Sequence, residues 1–189
     1  MEIRAAKESD LIHLINMEMV IIDEMETPLY RKLGAKKSEE ILLNASQNYP
    51  DSRYNYRRAI VVEIDDKIAG MAYGFPSEDE TIVNLELDRL TRETANTSDT
   101  FFTDQEVVGD EWYLDSLVVN PMFRGQGIGT ALLNHLQTNA KKAHKKVIGL
   151  NVDDNNPRAK KLYLRTGFKD VATIKIDSHN YTHMQKEVD

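Results

Sequence analysis

The part of this 189-residue chain richest in chemistry is the segment from Leu117 to Thr130. There a β-branched run gives way to three closely spaced glycines and then to an apolar helical pattern. Gly125, Gly127 and Gly129 let the backbone approach a ligand closely and take positive φ. The first N–H groups of the helix that follows have no partner inside it, and the helix dipole puts partial positive charge at the same end. A pyrophosphate suits such a terminus, and Arg124 adds a full positive charge. Three phosphate-binding patterns compete for this turn. A P-loop needs a lysine after the glycines, and none is present. A dinucleotide fingerprint finds Gly125 and Gly127 but meets Thr130 at its third position. Asp153 would suit a ribose, yet only 36 residues follow it, too few to complete a nicotinamide-binding domain. The third pattern, Arg/Gln-x-x-Gly-x-Gly/Ala, is met by Arg124, Gly127 and Gly129.

Elements must position this turn, and the composition allows one core to do so. Hydrophobic residues are 41% and charged residues 29% of the chain, ordinary for a globular domain, so collagen-like, low-complexity and wholly disordered chains are excluded. A single domain over residues 1–189 is expected. The absence of cysteine excludes a disulfide scaffold, a zinc ribbon, an iron–sulfur site and a cysteine nucleophile. No apolar run has the length of a membrane span. The opening MEIRAAKESD lacks the basic-then-apolar pattern of a secretory leader. The expected location is therefore cytoplasmic, with no membrane partner.

Periodicity predicts a short strand at Glu2–Ala5. A helix follows, whose Leu11, Leu14, Ile15 and Glu18 share one face, and a second helix opens at Ser38 with Ile41, Leu42 and Ala45. Strands are expected at 58–64 and 67–75, joined by the Asp65-Asp66 turn. Trp112–Val119 is a strand, and the helix after the glycines carries Ile128, Leu132, Leu136 and Ala140. Val147–Val152 is a buried strand. Asn156 caps a further helix with Pro157 at its first position, and two closing strands fill 168–176 and 181–188. Residues 77–110 read as an acidic insertion or flap with weak helical periodicity from Val83 to Leu90.

The strand 112–119, the glycine turn, and the run Val152, Asn156, Ala159, Leu162-Tyr163, Gly167-Phe168 together resemble the GNAT superfamily of acetyl-CoA-dependent N-acetyltransferases. The spacing matches without a gap over residues 111–169. The resemblance implies an α/β (α+β) fold: a central mixed, largely antiparallel sheet, splayed between its fourth and fifth strands and flanked by helices. It implies acetyl-CoA as co-substrate, with Leu117, Val118 and Val119 along the pantetheine arm. Arg124, Gly125, Gln126, Gly127, Ile128, Gly129 and Thr130 would wrap the pyrophosphate, and Asn156 would hydrogen-bond the cofactor. Tyr163 would protonate the leaving thiolate as general acid, although it also fits a core position beside Ala159 and Leu162. Glu111 and Asp115 are candidate general bases. Four residues apart on an unbroken strand they share a face, and each also reads as a solvated carboxylate.

The resemblance implies acetyl transfer to a primary amine by direct attack in a ternary complex. A GNAT fold that binds acyl-CoA without turnover is the alternative. Between Ser77 and Glu111 eleven acids face two arginines, whereas between Arg124 and Lys169 ten bases face two acids. The acidic stretch favours a small or cationic acceptor, a polyamine, an amino sugar or a peptide amine. The net charge of −7 argues against nucleic acid. The lysines at 141–146 suit either a cofactor phosphate or a solvated helix end. No metal is expected, since His179 and His183 stand about 13 Å apart on a strand. Dimers are common in the family, so a homodimer is among the assemblies the resemblance allows.

Overall fold

The computed structural model describes residues 1–25, 27–102, 104–176 and 179–189. In chain order the described elements are β1 (Glu2–Ala5), α1 (Leu11–Met25), α2 (Pro28–Leu33), α3 (Ala35–Asn48), β2 (Ala59–Ile64), β3 (Lys67–Pro76), α4 (Glu80–Ala95), β4 (Trp112–Val119), α5 (Ile128–Lys142), β5 (Val147–Asp153), α6 (Pro157–Arg165), β6 (Lys169–Ile176) and β7 (His179–Glu187). The seven strands form one sheet in the order β1-β2-β3-β4-β5-β7-β6. Every neighbouring pair is antiparallel except β4 and β5, which run parallel. This is the mixed, largely antiparallel sheet the resemblance implies.

Alternation along the central strands explains why both faces are covered. In β2, Val61 packs with Leu14, Ile15, Ile41 and Leu42 on the α1–α3 face, while Ile60 and Val62 pack with Leu132, Leu136 and Ala140 of α5 on the other. A strand buried on both sides reads as a continuous β-branched run, as this one does.

Two features position the site. The parallel pairing of β4 and β5 covers only Trp112–Leu114 against Ile148–Leu150. Beyond it the strands part, leaving the C-terminal halves of β4 and β5 without each other as partners. The second feature is a bulge. In the β3–β4 register Tyr73 faces Ser116 but Gly74 faces Leu114, so Asp115 is an extra residue. A bulge reverses the alternation after it, and so Asp115 and Ser116 both turn toward α1.

Residues 80–95 differ from the expected flap. They form α4, with Val83, Leu87 and Leu90 buried at helical spacing and Asn96 closing the helix at φ 50°. The acidic charge between these positions left only weak helical periodicity in the sequence. The second helix starts at Ala35 rather than Ser38, preceded by α2, whose Thr27 Oγ1 accepts the Tyr30 N–H at 3.3 Å.

Candidate active site

Two clefts meet where β4 and β5 part. The first, about 700 Å³, is lined by Leu117, Val118 and Val119 of β4, by Arg124, Gly125, Gly127, Ile128, Gly129 and Thr130 of the turn, and by Asn156, Arg158, Ala159, Leu162 and Arg165 of α6. Gly125 and Gly127 sit at φ +79° and +80°. No atom lies within 4 Å of a Cβ added at either, so glycine is needed there for conformation rather than space. Gly127 is the N-cap of α5, which leaves the first N–H groups of that helix facing the cleft. Arg158 and Arg165, seven residues apart on α6, join Arg124 around this end. Sequence reasoning missed them, although their spacing puts both on one helix face. An unpaired strand edge, a helix N-terminus and three guanidinium groups fit an extended, phosphate-bearing cofactor. Among the predicted cofactor residues Gln126 and Tyr163 are not on this cleft's wall, and Tyr163 lines the second cleft instead.

Asn156 fills the cap role expected of it. Its Oδ1 accepts the Ala159 N–H at 3.0 Å as a cap, and the exposed side chain still borders both clefts. Lys145 departs from the phosphate reading. Its Nζ is ion-paired with Asp110 and, at 2.5 Å, with Glu78.

The second cleft is smaller, about 210 Å³, and shares Ile21, Glu24, Leu117, Asn156 and Ala159 with the first. Tyr163 lines the smaller cleft, one turn of α6 from the shared Ala159, half-buried and edge-on to Phe168 at 6.0 Å between centroids. Its hydroxyl makes no hydrogen bond to a described residue, and desolvation pushes its pKa up to about 12. The carboxylates on the walls are Glu18, Glu24, Glu106, Asp115 and Asp153. Of the eleven acids between Ser77 and Glu111, Glu106 alone lines this cleft; others are held elsewhere, Asp79 by Arg58 at 2.9 Å and Asp99 by Lys32 at 2.6 Å. The cleft is acidic, then, chiefly because of residues outside the stretch that suggested it.

Glu18 had no chemical role in the sequence, yet its buried carboxylate lines the smaller cleft. It lies on α1 one turn before Ile21, and its Oε2 accepts the Ser116 hydroxyl at 2.6 Å. Desolvation, with repulsion from Asp115, pushes its pKa up to about 8. The available clue was a glutamate on the apolar face of a helix. Asp115 lies one residue deeper along β4. Burial raises it to about 7, although Arg53 acts in the opposite sense. Arg53 is fully buried, its Nη2 donating to Glu106 Oε1 at 2.8 Å and its Nε standing 3.2 Å from Asp115 Oδ1, off hydrogen-bond alignment. Its guanidinium lies 3.9 Å from the centre of the Phe102 ring.

Glu111 lines neither cleft. It is fully buried, Oε1 accepting the Val108 N–H at 2.9 Å and Oε2 facing Gln185 Nε2 at 2.9 Å and His183 Nε2 at 3.1 Å. A Cβ on Gly149 would stand 1.7 Å from Oε2, so the carboxylate lies directly on the β5 backbone. The expectation that Glu111 and Asp115 share a face assumed an unbroken strand, and the bulge removes that premise. Glu111 instead belongs to a polar chain under the cleft. His183 Nδ1 meets Asn151 Oδ1 at 2.6 Å, Asn151 Nδ2 donates to the Tyr113 hydroxyl at 3.0 Å, and that hydroxyl donates to Glu106 Oε2 at 2.8 Å.

The fold and the paired clefts define an acyl-transfer enzyme of the GNAT type. Residues 20–168 match the Acetyltransferase (GNAT) family, and the chain belongs to that family. It is similar to a [ribosomal protein bS18]-alanine N-acetyltransferase of Escherichia coli, 33% identical over 106 residues, 55% of this chain and 71% of that protein. It is also similar to an uncharacterized N-acetyltransferase of Methanocaldococcus jannaschii, 39% identical over 62 residues, 33% of this chain and 27% of the archaeal protein's length. Among solved structures, one described as an acetyltransferase superposes with TM-score 0.86 at 40% identity over 100% of both chains. An N-acetyltransferase from Staphylococcus aureus Mu50 superposes with TM-score 0.88 at 26% identity, over 98% of this chain and 100% of that one. The family uses acetyl-CoA as its co-substrate. No described helix is long and apolar enough to cross a membrane.

Proposed function

We propose that this protein moves acetyl from acetyl-CoA to a primary amine by direct attack, with the cofactor in the larger cleft and the amine in the acidic one. The observation that supports this reading is that Glu18 and Tyr163 both line the acceptor cleft, each about one helical turn from a residue shared with the cofactor cleft, Ile21 and Ala159. Acetyl-CoA supplies an acetyl group activated as a thioester, which leaves its sulfur as the amine nitrogen bonds to the carbonyl carbon. Glu18 takes the proton that an ammonium must lose before it attacks. A carboxylate raised to about 8 is well matched to that transfer near neutral pH. Tyr163 holds a proton for the departing thiolate, and its elevated pKa keeps the phenol protonated until then. Asp115, an expected base, is assigned a binding role below, and Glu111 a structural one. The volume of the acceptor cleft suits a small amine or a single side chain.

The test combines binding with kinetics. Saturating acetyl-CoA, at one hundred times Kd, is expected to stabilise the protein by about 2.7 kcal/mol. That corresponds to a rise in Tm of roughly 5–10 °C, with no rise in NADH. Initial-rate lines at several amine concentrations are expected to intersect, as a ternary complex requires. Stabilisation by acetyl-CoA with no transfer to any amine would select the non-catalytic acyl-CoA-binding module instead.

A further inference from the structure

We propose that the deep end of the acceptor cleft, formed by Asp115 and Glu106 among the rings of Tyr54, Phe102 and Tyr113, is a second ammonium subsite, and that the acceptor is a short α,ω-diamine. This rests on the smaller cleft being the acceptor site.

Three observations point there. First, Asp115 Oδ2 is buried without any hydrogen-bond partner, although its side chain is only 5% exposed and lines the cleft. A buried carboxylate oxygen left unpaired is costly, and a donor supplied by a ligand would satisfy it. Oδ1 faces Arg53, so Oδ2 is the atom left for that donor. Second, three buried acids surround one cation. Asp115 and Glu106 share the single guanidinium of Arg53, and the neighbouring Glu18 is fully buried as well. The reacting nitrogen must shed its charge to attack, so a second, non-reacting ammonium is the group that would let Asp115 stay ionised throughout the reaction. Third, Tyr54, Phe102 and Tyr113 line the same end. Aromatic faces beside carboxylates are the surroundings an alkylammonium prefers, through cation–π attraction added to the ion pair.

The spacing sets the length of the ligand. Leu117 borders both clefts, and Asp115 lies two residues deeper along β4. The bulge at Asp115 shortens the path, so the separation is below the roughly 7 Å of two extended residues, which limits the ligand to a diamine of no more than about four or five carbons. The reacting amine then lies between Glu18 and Tyr163 while the other ammonium reaches Asp115 Oδ2. The cleft volume of about 210 Å³ leaves little room for a bulkier dication.

The experiment compares 1,4-diaminobutane and 1,5-diaminopentane with n-butylamine and n-pentylamine as acceptors, for the wild type and for Asp115→Asn. The wild type is expected to favour each diamine in kcat/KM by about tenfold to a hundredfold, the usual worth of a charged hydrogen-bond partner. Asp115→Asn is expected to abolish that preference. A merely structural role for Asp115 would lower both acceptor classes alike and leave the ratio intact. Should Asp115→Asn fold poorly, Glu106→Gln is the second variant, expected to reduce the ratio in the same sense. Equal use of diamines and monoamines by the wild type would overturn the subsite while leaving acetyl transfer standing. Calorimetry of 1,4-diaminobutane with the protein–CoA complex reads the subsite independently of turnover. Absence of binding overturns it, whereas binding without acetylation overturns the transferase reading and leaves the subsite standing.

Discussion

Replacing Glu18 by Gln is expected to stabilise the protein at neutral pH while disabling it. Burial, reinforced by Asp115, raises the Glu18 carboxyl from 4.5 to about 8. The folded form therefore keeps a proton that the unfolded chain gives up once the pH passes 4.5. Stability from this group is full below pH 4.5 and falls as pH rises toward 8, because the folded state binds more protons across that window. At about 1.4 kcal/mol per pH unit, the deficit at pH 7.5 has a ceiling of about 4 kcal/mol, and at pH 5 of only about 0.7 kcal/mol. Glu18 and Asp115 share their titration, so about half the ceiling, roughly 2 kcal/mol, is the expected gain at pH 7.5. Glutamine keeps an acceptor for the Ser116 hydroxyl and carries no charge. In a protein of this length that gain raises Tm by about 4–8 °C. The assay is thermal and denaturant unfolding of wild type and Glu18→Gln at pH 5 and pH 7.5, with kcat/KM measured alongside. Activity at pH 7.5 is expected to fall about a hundredfold as the proton acceptor is lost. A stability difference that does not grow between pH 5 and pH 7.5 would refute the reasoning, as would full activity in the variant.

Tyr163→Phe is expected to lower kcat about a hundredfold with the Kd for acetyl-CoA within about twofold of wild type, as measured by steady-state kinetics and calorimetry; an unchanged kcat would return the side chain to the core. Gly127→Ala meets no neighbour, but forcing alanine to φ +80° costs roughly 1–2 kcal/mol and is expected to weaken acetyl-CoA binding on titration. Arg53→Met leaves Glu106 and Asp115 without their buried cation, a loss of about 3–5 kcal/mol at pH 8. Because Asp115 takes up its proton near pH 7, that deficit is expected to shrink in melts at pH 5.

The cofactor side was legible because its chemistry is local. Glycines at positive φ adjoin a helix N-terminus directly, and the Asn156-Pro157 cap two elements later is likewise a local pattern. They carry their meaning in spacing alone. Arg158 and Arg165 were within reach of the same reasoning, since seven residues on a helix return to one face. The acceptor side joins α1, the segment before β2, Phe102, Glu106 and β4. Glu18 and Ser116 meet across 98 positions, and Arg53 and Glu106 across 53. No local pattern announces such pairs. A one-residue bulge at Asp115 decides which side chains face the cleft, and a period-two reading of β4 has no place for it. The helix α4 was hidden for a different reason. Its three buried apolar positions stand among Glu80, Glu86, Asp88 and Glu93, so charge obscured periodicity.

The most direct measurement is to incubate the protein with acetyl-CoA and a panel of small primary amines, following free CoA thiol and N-acetylated amine together. Equimolar appearance of thiol and N-acetyl product, dependent on the amine and lost in Glu18→Gln, is the expected result. Acetyl-CoA binding with no amine-dependent thiol release would contradict acetyl transfer at this junction.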